Sequence, residues 1–124
     1  MTNKYLLLLP SVLSAILYGG IAYYVNSEHG RHAALIAGFT QAVASAVVTL
    51  SAAFLMTWMF AWPAQPRLKF LSSSLGSGVI VLSVFVVIHT IMVTPNVMAT
   101  ILPGLIIGTS YFLLFSLALY KQRL

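Results

Sequence analysis

The sequence predicts an all-α membrane protein, a four-transmembrane-helix bundle with N- and C-termini cytoplasmic, and three observations carry that prediction. Hydrophobic residues make up 60% of the 124-residue chain and charged residues 6%, where soluble domains carry about a quarter charged residues. The apolar residues fall into four runs, each matching the roughly 20 residues a helix needs to cross a bilayer. Short connections between the runs hold prolines and most of the charge. The chain reads as one integral membrane domain, 1–124, with spans at about 5–24, 33–62, 70–93 and 95–120.

Lys4 and Tyr5 followed by Leu6 to Leu9 look like the basic and apolar regions of a signal peptide. No clear small-x-small cleavage site precedes Glu28, so 5–24 is expected to be an uncleaved span. Pro10 lies near its start, where a proline costs a helix little, and Tyr18, Tyr23 and Tyr24 approach the far interface. The second run, 33–62, would extend some 45 Å as a helix and must tilt or protrude. Pro63 and Pro66 end it, Trp58 and Trp62 suit an interfacial belt, and the loop to Lys69 carries Arg67.

The third run, 70–93, begins with Ser72, Ser73, Ser74, Gly76, Ser77 and Gly78 and becomes aliphatic and β-branched from Val79 to Ile88. In water that stretch would suggest a strand. In lipid the backbone must satisfy itself within the segment, which selects a helix. Thr94 as N-cap and Pro95 at the first helical position predict the start of the fourth span, with Pro103 kinking it and freeing the carbonyl of Ala99. Lys4, Arg67, Lys69, Lys121 and Arg123 then lie on one side and Arg31 alone on the other, which puts both termini in the cytoplasm of a bacterial-type inner membrane.

Composition excludes several function classes. There is no cysteine, hence no disulfide and no thiolate chemistry. The net charge of +5 is scattered at segment ends and forms no stripe, so nucleic acid is not an expected partner. Glu28 is the only acidic side chain, which rules out paired-carboxylate catalysis. Most serines lie away from the histidines, leaving no nucleophile–base pair. His29, His32 and His89 lack the helical spacing of a metal site. The protein is expected to be no enzyme and to need no cofactor or metal.

The stretch Glu28-His29-Gly30-Arg31-His32 concentrates the polar chemistry. It is expected to roof a cavity in the outer half of the membrane, lined by Thr40, Gln41, His89, Thr90, Thr100 and the kink at Pro103. Arg31, His32, Gln41, His89 and Thr100 are the candidate ligand contacts. His89 is the one ionisable side chain inside a span, a functional-site hypothesis by default, set against a plain interhelical hydrogen bond. Ala34, Gly38, Ala42 and Ala46 recur every four residues on the second span, and Gly104 and Gly108 form a small-xxx-small pair on the fourth. Such stripes allow close helix approach, inside one bundle or between copies of the chain.

In size and span number the chain is similar to two families, the small multidrug resistance transporters and the GtrA-like proteins. The first would imply a glutamate within the first span, and this chain has no acid in any span. The second would imply an N-terminal Arg-Phe and Val-Gly pattern, which is absent. What remains is an expectation of transport, or of lipid or amphiphile handling, through an outer-leaflet-facing cavity, with membrane lipids and a homo-oligomer as partners. The alternative is a non-catalytic accessory or scaffold subunit of a larger membrane complex.

Overall fold

The computed structural model describes residues 4–122, apart from the side chains of Lys4 and Leu7. Among the described residues every regular element is helical. Helix α1 covers Lys4–Asn26, a single 3-10 turn Ser27–His29 follows, and α2 covers Arg31–Ala61. The third span is composite: α3 is Pro66–Leu71, a π-helical turn fills Ser72–Gly76, and α4 is Ser77–Ile91. Helix α5 covers Val97–Gln122. Four stretches are long and apolar enough to cross a membrane, Leu8–His29, Arg31–Ala61, Pro66–Ile91 and Val97–Gln122.

Cross-helix contacts fix the register. Ser11 meets Ala46 and Gly19 meets Ala42, Gln41 meets His89 and Met59 meets Ser72, and Ser73 meets Ser116 while Phe70 meets Tyr120. Asn26 meets Thr100, closing the ring between α1 and α5. In each pair one number rises as the other falls, so neighbouring helices are antiparallel. The turns at 27–30 and 92–96 share one end of the bundle, called the upper end here. The 62–65 turn, with Arg67 and Lys69 beside it, lies at the lower end.

Helices α1 and α2 make the closest pair because small residues line both. A Cβ on Gly19 would sit 2.8 Å from Ala42 Cβ, and one on Gly38 would sit 3.2 Å from the Gly19 carbonyl oxygen and 3.3 Å from Tyr23 Cβ. Ala34 and Gly38 are buried, and Ala42 and Ala46 half-buried. The partner of this stripe is therefore α1, and Gly19 supplies the complementary gap. At the lower end a small cluster of Ala52, Met56 and Phe112 packs with Val81 and Phe115. The outward faces, from Leu13 and Leu17 on α1 to Leu114 on α5, are exposed and apolar, as a surface facing hydrocarbon must be.

Several boundaries differ from expectation. Arg31 and His32 form the first turn of α2 instead of belonging to the connection, because Gly30, at φ 99° and ψ 158°, makes the break two residues earlier. Arg67 and Lys69 are helical, since Pro66 at the first helical position starts α3 before the expected 70. The fourth span starts at Val97, and the cap is Asn96: its Oδ1 accepts the Ala99 N–H at 3.3 Å. Thr94 is instead the last residue of the preceding helix's end motif. The Thr94 N–H bonds the His89 carbonyl at 2.9 Å and the Val93 N–H bonds that of Thr90 at 3.2 Å, a Schellman motif that leaves Thr94 no freedom to cap α5.

Candidate functional site

Two polar networks lie buried at the upper end, built on that turn. In the first, His89 is fully buried, with Nε2 2.7 Å from Gln41 Oε1 and Nδ1 2.7 Å from Thr94 Oγ1. An amide oxygen only accepts, so Nε2 carries the proton and Nδ1 accepts from the Thr94 hydroxyl. Both ring nitrogens of a neutral imidazole are thereby satisfied. The Schellman motif explains the geometry, since it folds Thr94 back over the residue five positions earlier, where a hydrophobic contact usually forms.

The second network centres on Asn26, also fully buried. Its Nδ2 donates to the Ala22 carbonyl and to Thr100 Oγ1, both at 2.8 Å, and its Oδ1 accepts the Asn96 N–H at 2.9 Å. Thr100 passes its own proton to the Asn96 carbonyl. Asn26 thus ties α1 to the start of α5. Sequence reasoning missed it, because an asparagine just after Tyr23 and Tyr24 and just before Glu28 reads as the first residue of a solvated turn. The available signal was its place four residues after Ala22, still in phase with the helix.

Of the candidate ligand contacts, Gln41, His89 and Thr100 are drawn into these networks, whereas Arg31 and His32 are exposed on the first turn of α2 together with Glu28, His29 and Gly30. Thr40 is half-buried, and Thr90 is exposed with its hydroxyl returned to the Val86 carbonyl. Among the described residues, the buried polar groups at this end hydrogen-bond to one another. Among the described residues, no three His, Asp or Glu side chains are placed to share a metal ion.

Beneath the networks lies a cavity of about 200 Å³ between α4 and α5, with Gln41 of α2 at its back. It runs along α5 from Ile101 to Leu113, about 18 Å at helical rise. Gly78, Gly104 and Gly108 flatten its walls, and Leu75, Val79, Leu105 and Leu113 form an exposed rim. Its polar residues are Gln41, Ser74 and Thr109, and no charged side chain lines it. Ser74 and Thr109 spend their hydroxyl protons on the carbonyls of Phe70 and Leu105. The π-helical turn borders the lower end of the groove. Such turns widen a helix by one residue and recur at functional sites.

The small-residue pair on α5 divides between two roles. Gly104 faces the Tyr18 ring of α1, where a Cβ would lie 3.9 Å from Cε1, and Gly108 faces Phe112 in the groove. Helix α5 runs through Pro103 from Val97 to Gln122 without interruption. No family model, curated protein or solved structure matches the chain.

Proposed function

We propose that the protein binds and moves a membrane amphiphile along the groove between α4 and α5, without a covalent step, in a bacterial-type inner membrane with both termini cytoplasmic. One observation carries the proposal: an apolar, uncharged, glycine-walled cavity opens through an exposed aliphatic rim into the face that lipid covers. A dry cavity of about 150 Å³ lined by aliphatic and aromatic side chains already takes up a small apolar molecule in a soluble protein. A space of similar size but elongated suits part of an alkyl chain. The closed upper networks support a ligand entering from the bilayer over one entering from water. The orientation rests on Arg67, Lys69 and Lys121 lying at the lower end against Arg31 at the upper end; Lys4, as a side chain, and Arg123 lie outside the described residues.

A photoactivatable alkyl-diazirine lipid tests the proposal. Labelling of the full chain in bilayers should concentrate on Val79, Leu82 and Leu105 and spare Leu13 and Phe54, which are more exposed than Leu82 and Leu105. Labelling that simply follows exposure, with α1 and α2 as reactive as the groove, overturns it.

A further inference from the structure

The groove has one polar feature that no neighbour uses. The Oε1 of Gln41 is held by His89 Nε2, and Gln41 is 1% exposed yet lines the cavity. Among the described residues its Nε2 amide donates to nothing. A buried amide N–H without an acceptor costs about 1–3 kcal/mol, and in hydrocarbon no water offsets that cost. With Oε1 turned to His89, the NH₂ end is the part of the Gln41 side chain left without a protein partner, on a residue that lines the groove.

From this we infer that the groove's occupant is an uncharged amphiphile carrying a carbonyl oxygen on an apolar chain, an ester or a ketone, and that Gln41 Nε2 donates to that oxygen. The inference rests on the groove being a binding site and adds the chemistry of what it binds. Charge argues for a neutral head. No cation or anion lines the cavity, so a carboxylate or ammonium there would be desolvated without a counter-charge, at far greater cost than one neutral hydrogen bond returns. Depth argues the same way. Gln41 lies ten residues along α2 from Arg31, about 15 Å at helical rise. Because α2, at 31 residues, is longer than the roughly 30 Å hydrocarbon layer, this places Gln41 several ångströms inside the boundary. A phosphate-headed lipid would have to drag its charge below that boundary to reach it, whereas an ester or ketone group free of charge dissolves there.

Methyl oleate, 1-octadecene and oleate are the probes. Each is added to the detergent-solubilised full chain, and bound ligand is counted by native mass spectrometry. Methyl oleate should bind roughly three- to tenfold more tightly than 1-octadecene, the yield of one neutral hydrogen bond, and oleate at neutral pH more weakly than the ester. Gln41→Leu should erase the ester's advantage while retaining octadecene, and Gly108→Leu should reduce both. Because Gln41→Leu also removes the His89 partner and can lower folding yield, the infrared band of ¹³C-carbonyl methyl oleate is read on the unaltered protein. It should move to lower frequency than in alkane, as a hydrogen-bonded carbonyl does. Equal binding of ester and hydrocarbon, both sensitive to Gly108→Leu, or an unshifted carbonyl band, overturns the donor assignment and leaves the groove. Insensitivity of both probes to Gly108→Leu overturns the groove itself.

Discussion

At the level of single residues, the upper networks set a hierarchy of cost that mutation can read. Asn26→Leu strands the Asn96 N–H and removes the anchor of Thr100. The expected loss is roughly 1–3 kcal/mol, toward the low end because side-chain bonds between membrane helices average about 0.6 kcal/mol. His89→Ala strands one acceptor and one donor and should cost a comparable amount. The two networks meet at residues 94–96, so the double variant should depart from additivity by about 0.5 kcal/mol or more; strictly additive melting shifts would show that the turn does not couple them. Ser77 is the opposite case. Its hydroxyl is buried with no partner among the described residues, so Ser77→Ala, which removes an unsatisfied group and improves helix propensity, should leave the melting temperature unchanged or raise it.

Helices and their ends show why some of the design was legible and some was not. The four spans follow from the hydrocarbon requirement, since a backbone in lipid must close its hydrogen bonds within a helix or a barrel and these long runs lack the turn every ten residues or so that a barrel needs, and Pro63 and Pro66 punctuate the second connection visibly. The polar site was legible in part. Gln41, His89 and Thr100 stand out as polar groups in apolar runs, but their closure on Thr94, Asn26 and Asn96 depends on which of two good caps α5 uses. Local preference allows either Thr94 or Asn96. The Schellman end of α4 decides by consuming Thr94, and that motif places Val93, not glycine, at φ 55°, a conformation that propensity argues against. The strain is testable. Val93 is 81% exposed, so Val93→Gly forfeits little packing and relieves a left-handed conformation costing about 1–2 kcal/mol. After the entropic penalty of glycine it should stabilise by up to about 1 kcal/mol, and a lower melting temperature would show that Val93 is held by contacts outside the chain. The α1–α2 seam offers a matched pair. Gly19→Ala must push Ala42 aside and should cost about 1–3 kcal/mol, while Gly20→Ala meets nothing within 4 Å and should be neutral or slightly stabilising. Equal effects would mean that the seam is looser than its geometry.

For the molecule as a whole, the arrangement ties chemistry to sidedness. Antiparallel neighbours put the Ser27–His29 turn and the 92–96 turn at one end and the 62–65 turn at the other, so the polar networks, the Gln41 end of the groove and Arg31 share a membrane face. The proposed orientation puts that face outside, since the charge rule acts on Lys and Arg in short connections and counts Arg31 against Arg67, Lys69 and Lys121. Absence of cysteine makes the assignment simple to check. Ser27 and Gln65 are exposed at opposite ends, and single cysteines there introduce the only thiols in the chain. In intact cells a membrane-impermeant maleimide should label Ser27→Cys and reach Gln65→Cys only after permeabilisation. Labelling of both in intact cells would break the four-span arrangement, whereas the reverse pattern would keep the bundle and turn the Gln41 end of the groove toward the cytoplasm. For the amphiphile site proposed above, that one experiment also decides which leaflet holds the Gln41 end of the groove.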